Sequence, residues 1–323
     1  MAETLAEQLA VEETGPGQYV SLTTPERMGN ALPIAYGGCT LGIATHAAYQ
    51  TVKPAYSLYS LVGHFLGPAS TNEKLKCTVH ETRTTKTFAT RRVQVSQLQP
   101  DGKMRACMEL IADFQVEEPA MLSYTTPPSR KYSGVEGGVS LDEMKESAVS
   151  QGKVTRAAAE KFHKGFRMMD TFFDSKYCPE GIAAQNVFGG LKNEPTSQDH
   201  LPITEKSSAD WIRTRVPLES RGERMGAVSF LIDGAIAFTP LAHNHMWLDD
   251  SAACSTLDFA LRIFVPDIDI KSWHLRERRT MAAGYGRSYS EARLWDEQGT
   301  MVASMTQQCI LRPKPEAKAK AAL

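Results

Sequence analysis

A strand-rich pattern occurs twice in this 323-residue chain, and this repetition constrains the possible fold more than any other feature. The first copy reads SLYSLVGHFLGPA from Ser57, and the second reads STLDFALRIFVPD from Ser255. Pro68 and Pro266 occupy equivalent places in the two segments, 198 residues apart. The repetition predicts one structural scaffold that is built twice within a single chain.

The two copies differ in polarity at three positions, where the second copy is polar and the first has leucine. In our alignment the equivalent pairs are Leu41 and Asp233, Leu58 and Thr256, and Leu110 and Gln307. A folded scaffold needs only apolar side chains at such places. Buried polar groups there must therefore be hydrogen-bonded or take part in chemistry. We expect the second copy to carry the functional site.

Composition limits the kinds of partner and the cellular location. Thirty-six basic and 37 acidic residues give a formal net charge of -1, which favours neither nucleic acid nor an anionic membrane as a partner. The six cysteines are scattered and form no CxxC pair. We expect buried, reduced thiols and a cytoplasmic protein; the terminal Ala-Ala-Leu keeps peroxisomal import as the alternative. No uninterrupted apolar run reaches the roughly 18 residues of a membrane span.

Apolar periodicity and turn residues predict a helix followed by antiparallel strands in each copy. In the first copy the helix begins at Gly37-Gly38, and the strands cover residues 57–66, 73–84, 86–97 and 104–114. In the second copy the helix covers residues 226–238, and the strands cover residues 251–264, 270–282, 286–295 and 301–311. Asp101-Gly102 and Gln298-Gly299 form the corresponding hairpin turns.

These elements divide the chain into four segments. Residues 1–115 form the N-terminal repeat, although the acidic stretch up to about residue 17 is expected to fray. Residues 116–205 form a long connector with one helical stretch near residues 153–173. Residues 206–313 form the C-terminal repeat, and residues 314–323 are expected to be a disordered tail.

A helix followed by antiparallel strands, repeated once, predicts an α+β protein in which each sheet wraps around a central helix. The two sheets can join edge to edge, which removes an exposed edge from each. The motifs that carry a family resemblance are Tyr36-Gly37-Gly38, Phe65-Leu66-x-Pro68, Phe88-x-Thr90-Arg91-Arg92-Val93, the helix of Asp233, Thr256-Leu257-Asp258, Pro266 and Val302-Ala303-Ser304-x-x-Gln307-x-x-x-x-Arg312. In order and spacing, over roughly residues 30–114 and 211–311, the chain resembles the acyl-CoA thioesterase II family, a double hot-dog fold.

The resemblance implies hydrolysis of fatty acyl-CoA to free acid and CoA, in lipid metabolism, without a metal ion or an organic cofactor. The catalytic Asp, Thr or Ser, and Gln of the family fall on Asp233, Thr256 and Gln307.

The chain also departs from the family pattern. Tyr59 and Val62 stand where the family has histidines, Gly67 where it has arginine, and Phe259 where it has histidine. These departures bear on the contacts with CoA and on the preferred acyl length.

The same residues suit thioester hydrolysis on chemical grounds. The Asp233 carboxylate can take a proton from water, while the Thr256 hydroxyl and the Gln307 amide hold that water in place. Backbone N–H groups of Gly37 and Gly38, at the positive end of a helix, can bind the substrate carbonyl oxygen. If the two central helices are antiparallel, the start of the first helix meets Asp233.

Structural explanations for these residues remain open at this point. Asp233 can belong to an ordinary Asp-Gly turn, Thr256 can simply favour a strand, and Gly37-Gly38 can be a permissive turn. His243-x-His245 lacks further ligands for a metal ion and is expected to lie in a polar loop.

The alternative functions are processing of a specialised acyl or polyketide thioester, and acyl-CoA binding without turnover. We expect acyl-CoA as the small-molecule partner and a homodimer as the assembly, since two-fold dimers are the commonest closed oligomers.

Overall fold

Twelve strands form one antiparallel sheet within residues 2–29 and 32–315, which are the residues that the computed structural model of the protein describes. In chain order they are β1 (Val11–Gly15), β2 (Gln18–Ser21), β3 (Tyr56–Phe65), β4 (Lys76–Thr84), β5 (Phe88–Leu98), β6 (Met104–Val116), β7 (Phe173–Tyr177), β8 (Ser208–Thr214), β9 (Ser251–Ile263), β10 (His274–Gly284), β11 (Arg287–Asp296) and β12 (Met301–Pro313). Their order across the sheet is β1-β2-β4-β5-β6-β3-β9-β12-β11-β10-β8-β7. The four main strands predicted for each copy are present.

Two helices lie at the centre of the molecule and the others are peripheral. The α-helices of the described ranges are α1 (Leu5–Leu9), α2 (Gly37–Tyr49), α3 (Leu141–Ser150), α4 (Arg156–Phe172), α5 (Ile182–Asn186), α6 (Arg221–Ile232) and α7 (Thr239–Ala242). Helix α2 has small or apolar residues on almost every side, and nearly all of them are buried. Such a helix is stable only when it is enclosed by other elements. No helix within these ranges combines the length and the apolar character that crossing a membrane requires.

Helices α2 and α6 pack closely and antiparallel to each other. A Cβ atom on Gly42 would lie 2.8 Å from the Gly226 carbonyl oxygen, so the two backbones touch where each helix has glycine. Farther along, the Thr45 hydroxyl lies 3.0 Å from the Ser229 hydroxyl. The predicted central helix of each repeat is therefore present, and the two helices form one shared core.

A local two-fold axis relates the two halves of the sheet. Strands β3 and β9 pair antiparallel, and Val62 lies opposite Ala260. These two residues are 198 apart in sequence, as are Pro68 and Pro266. The axis therefore passes through this pair, in which a residue faces its own counterpart, and the two half-sheets join edge to edge as predicted.

The strand register changes one of the three proposed equivalences. Gln307 pairs with Phe259, whose counterpart in the first copy is Leu61. Leu61 pairs with Ala112, so Ala112 is the counterpart of Gln307 and Leu110 is not. The alignment was wrong here because turns of different length shift the later strands relative to β3 and β9.

The helices change a second equivalence. Asp233 directly follows α6 and lies against Gly37, whereas Tyr49 ends α2 and lies against Gly222. The counterpart of Asp233 is therefore Tyr49 and not Leu41. The error arises because α6 is separated from β9 by a much longer segment, which includes α7, than the one that separates α2 from β3. The equivalence of Thr256 with Leu58 stands.

Three further expectations need correction. The N-terminal segment does not fray: α1 has a capping box between Thr4 and Glu7, and its Leu9 side chain packs against α2 at Gly42. The helix predicted over residues 226–238 begins at Arg221 and ends at Ile232. Within the predicted connector, α3 and β7 were missed, and β7 pairs with β8. Of the predicted tail, residues 316–323 lie outside the described residues.

The connector crosses the half-sheet of the second copy and is tied to it by side chains. The Met301 N–H donates to the Thr125 hydroxyl at 2.9 Å, and the Trp295 indole donates to the Thr126 carbonyl oxygen at 2.7 Å. The Glu277 carboxylate accepts hydrogen bonds from the hydroxyl groups of Ser129 and Tyr132. These contacts leave the opposite face of the half-sheet to α6 and to the site at its end.

Candidate active site

Asp233 lies where the end of α6 packs beside the start of α2. It is the C-cap residue of α6 and is only 7% exposed. Because α2 is antiparallel to α6, the first residues of α2 lie beside this carboxylate. A Cβ atom on Gly37 would lie 3.2 Å from Asp233 Oδ2, so glycine permits the close approach. The structure thus joins the helix start of the first copy to the acidic residue of the second.

Gln307 and Thr256 complete a hydrogen-bonded chain with Asp233. Gln307 Nε2 donates to Asp233 Oδ1, and Thr256 Oγ1 donates to Gln307 Oε1 at 3.1 Å. Gln307 is fully buried on β12, whereas Thr256 is partly exposed on the neighbouring strand β9. The three residues predicted from the sequence are therefore in contact, and Thr256 is their most accessible member.

Two sulfur-containing residues on β12 flank the Gln307 amide. Gln307 Nε2 lies 3.3 Å from Met305 Sδ, and Cys309 Sγ lies 3.8 Å from Gln307 Oε1. A thioether sulfur is a weak acceptor and a thiol is a weak donor. Both contacts therefore favour the amide orientation in which the NH₂ group faces Asp233. Their strand positions, two residues on either side of Gln307, were the available sequence signal.

Burial raises the pKa of the Asp233 carboxyl to about 6, because the charged form loses contact with water. Hydrogen bonds from the Gln307 amide and the Gly38 backbone N–H, together with the nearby Tyr36 hydroxyl, oppose this shift by stabilising the charged form. The group is thus mostly ionised at neutral pH and more basic than an ordinary surface carboxylate. Such a pKa suits a general base that works near neutral pH.

Phe65 of the first copy forms one wall of the site and was not singled out as a site residue from the sequence. Its Cζ atom lies 3.1 Å from the position of a Cβ on Gly37. The Phe65 and Phe259 rings are 5.6 Å apart, so residues of both copies line this wall. The aromatic pair borders the same space as Asp233 Oδ2.

The positions that depart from the family pattern lie in different surroundings. Tyr59 packs edge-on against Phe88, and Val62 is 41% exposed at the crossing of β3 and β9. A Cβ atom on Gly67 would lie 3.9 Å from the guanidinium carbon of Arg105, which donates to the Pro68 carbonyl oxygen. A cationic group from β6 thus lies beside position 67.

The two histidines with metal-like spacing face different partners. His243 is buried, with Nε2 3.0 Å from the Ser208 hydroxyl, whereas His245 Nε2 lies 2.8 Å from Asp199. Over the described ranges, no three His, Cys, Asp or Glu side chains are arranged to hold a metal ion.

Two helices wrapped by one antiparallel sheet define a protein of the double hot-dog type, and an acid, an amide and a hydroxyl meet where the two helices pack. Models of the acyl-CoA thioesterase N-terminal and C-terminal domains match residues 24–115 and 179–311. Together they cover more than half of the chain. The chain belongs to the acyl-CoA thioesterase family.

Individual relatives are similar to the chain in sequence, and solved structures are similar to it in fold. Human acyl-coenzyme A thioesterase 8 is 23% identical over 289 residues, which are 87% of this chain and 81% of the relative. The crystal structure of an acyl-CoA thioesterase II from Mycobacterium marinum superposes with a TM-score of 0.69 at 20% identity, covering 97% of this chain and 99% of that one. A conserved hot-dog protein from Alicyclobacillus acidocaldarius gives 0.67 at 13% identity, covering 96% and 98%. The α+β double hot-dog fold is confirmed.

Proposed function

We propose that the chain hydrolyses acyl-CoA thioesters to free acid and CoA, with Asp233 as the general base. The observation that carries this proposal is the hydrogen-bonded chain Thr256–Gln307–Asp233 at the start of α2. Gly37 and Gly38 serve as the substrate-binding backbone groups. The function fits fatty acid metabolism, and we place it in the cytoplasm.

The direction of the hydrogen bonds determines where the attacking water binds. Thr256 donates its only hydroxyl proton to Gln307, so its oxygen lone pairs are left to accept from water. Asp233 Oδ1 is taken by the Gln307 amide, and Oδ2 lies on the side of Gly37. A water that donates one proton to Oδ2 and the other to Thr256 presents its own lone pair to the thioester carbon.

The reaction then needs two steps. Asp233 takes a proton as the water oxygen bonds to the thioester carbon, which gives a tetrahedral oxyanion. The C–S bond breaks as the carbonyl re-forms, and Asp233 returns its proton to the departing sulfur. The products are the free acid and the CoA thiol, and Asp233 is again ionised.

The start of α2 supplies hydrogen-bond donors for the oxyanion. The N–H groups of Cys39 and Thr40 donate to the Tyr36 carbonyl oxygen, so the preceding glycines lie at the open end of the helix. The Gly38 N–H also stabilises ionised Asp233, so it lies close to the proposed base. The positive end of the α2 dipole adds to this stabilisation.

The pH dependence of hydrolysis should report the Asp233 carboxyl. Because the base must be ionised to accept a proton, we expect kcat/KM to fall as the pH drops below an acid limb with a pKa of about 6. A pH series of thiol release with a short and a long acyl-CoA will measure this limb. A profile that stays flat down to pH 5 would contradict the assignment of the base.

The identity of the substrate is tested by thiol release across acyl-CoAs from short to long chains. Release of CoA thiol at steady state supports the proposal. Tight binding without thiol release would favour the alternative of acyl-CoA binding without turnover. Turnover of only a specialised acyl or polyketide thioester would favour the alternative of specialised thioester processing.

We propose a homodimer as the assembly. The single chain already joins two repeats through β3 and β9, so further association would use other faces or edges of the sheet. Light scattering at working concentration should give twice the mass of the 35.6 kDa chain. A monomer mass across the concentration range would refute the dimer.

A further inference from the structure

Tyr36 lies at the end of α6, beside Asp233, although it belongs to the other copy. It is the N-cap residue of α2 and is 7% exposed. Its hydroxyl donates to the Phe230 carbonyl oxygen at 2.7 Å, and its ring packs edge-on against the Phe230 ring. The Gly234 N–H, which would be the usual helical partner of this carbonyl, donates to Leu231 instead. Tyr36 therefore donates the hydrogen bond that the Phe230 carbonyl oxygen does not receive from α6 itself.

A buried ionic cluster lies on the other side of this hydroxyl. Arg276 and Arg278 of β10 both bind Asp210 of β8, at 2.8 and 2.5 Å, and all three residues are buried. Arg276 Nη1 also donates to the Leu231 carbonyl oxygen. A Cβ atom on Gly234 would lie 2.9 Å from Arg276 Nη1 and 3.4 Å from Tyr36 Oη. The phenol and the guanidinium thus share the small space that Gly234 leaves.

We propose that Tyr36 is a positioning residue for Asp233, holding the carboxylate ionised and aimed at the water. The proposal rests on the function proposed above. The phenol has one proton and two acceptors near it: the Phe230 carbonyl at 2.7 Å, and the carboxylate of Asp233, the residue before Gly234, whose Cβ position lies 3.4 Å from Tyr36 Oη. A hydrogen bond to an ionised acceptor is stronger than one to a neutral carbonyl. Tyr36 therefore supports Asp233 while it is charged and returns to Phe230 once Asp233 has taken a proton.

Only Asp233 changes its charge in this cluster near neutral pH. Burial raises the pKa of the Tyr36 hydroxyl well above its usual value, and the Asp233 charge adds to this, so the phenol stays a donor. Although burial opposes it, the two arginines hold the pKa of Asp210 below its usual range. Cys39 on α2 faces Tyr36 and Cys309 on β12 faces Asp233, while Tyr177 on β7 faces Asp210 and its two arginines; burial raises the pKa of each.

The substitution Tyr36→Phe tests the proposal, because it removes only the hydroxyl group and leaves the packing of the ring unchanged. We expect the acid limb of kcat/KM to move up by about one pH unit, since the charged base loses a donor. We also expect kcat to fall by roughly 3- to 30-fold with KM nearly unchanged, because the lost contact is to the base and not to the substrate. The shape of a pH profile does not depend on how much enzyme is active, so partial unfolding cannot imitate the shift.

Tyr49→Phe is the matched control. Tyr49 is the counterpart of Asp233 in the first copy; its hydroxyl accepts from the Leu58 N–H at 2.9 Å, and its ring packs edge-on against Phe114. The Tyr49→Phe variant therefore lacks a similar phenol oxygen, at the other end of the helix pair. We expect lower stability and an unchanged pH profile.

A second variant, with 3-fluorotyrosine at position 36, keeps the hydroxyl and makes it a stronger donor. It should move the acid limb to lower pH, opposite to Tyr36→Phe, and it tests the proposal even where Tyr36→Phe fails to fold. In the Asp233→Asn background, Tyr36→Phe should cost no further activity, because both changes act on one group. The inference would be overturned if the acid limb were unshifted in both Tyr36 variants. It would also be overturned if Tyr36→Phe lowered the activity of the Asp233→Asn variant as much as it lowers the activity of the unmodified protein. Absence of thiol release by the unmodified protein would overturn the proposed function as well.

Discussion

Asp233→Asn will lower kcat/KM for acyl-CoA hydrolysis by at least about 100-fold while acyl-CoA still binds. Asparagine has nearly the same shape and can keep one hydrogen bond to Gln307, but it cannot take a proton from water. A positioned general base is worth roughly 10²- to 10⁴-fold in rate. Thiol release and equilibrium binding of a non-hydrolysable acyl-CoA analogue, measured on the same preparation, will separate the two effects.

Asp258→Asn is the control for this experiment. Asp258 lies on β9 near Thr256, but a bulge between the two places it opposite Gln308, on the other face from Gln307. The control removes the same chemical group close to the site, and its activity should stay within about threefold of the unmodified protein. If Asp233→Asn keeps more than about a third of the thiol release, Asp233 is not the base.

Gln307→Leu should preserve the fold and remove most of the turnover. The amide links Thr256 to Asp233, so its loss frees both partners of the water and leaves Asp233 Oδ1 without its donor. The acid limb should also move to higher pH, because that donor stabilises the charged carboxylate. We expect a loss of about 10- to 1,000-fold in kcat, measured by thiol release across the pH range.

Gln308→Leu provides a matched control, because Gln308 is the next residue of β12 and faces the opposite side of the sheet. Full activity in this control together with a strong loss in Gln307→Leu would assign the effect to the buried amide. Combining Asp233→Asn with Gln307→Leu should cost little more than the worse single change, since both act on one water. Additive losses would mean that the two residues serve separate functions.

The residue pattern was sufficient to predict the duplicated fold and to select three residues that lie in contact, Asp233, Thr256 and Gln307, but not every equivalence between the copies. Thr256 and Leu58 lie on the strands that cross at the local two-fold axis, where no loop intervenes, and their match holds. Gln307 was matched two residues away from its counterpart Ala112, because hairpins of different length precede the two strands. Motif spacing cannot detect such a slip, since both candidate positions have the same strand parity.

Tyr36 shows why part of the site could not be inferred from local sequence. Its hydroxyl partner, Phe230, is 194 residues away in the chain. The contact exists only because α2 and α6 are antiparallel and packed through Gly42 and Gly226. Helical periodicity predicts each helix alone, but the identity of the residue at the facing helix end depends on their relative register.

A single turnover in H₂¹⁸O, with enzyme in excess over acyl-CoA, tests most directly whether Asp233 activates water or attacks the thioester itself. The account predicts that the free acid carries one ¹⁸O atom and that the peptide containing Asp233 carries none. Unlabelled acid together with ¹⁸O in the Asp233 peptide would show a covalent acyl-enzyme intermediate and would contradict the general-base mechanism.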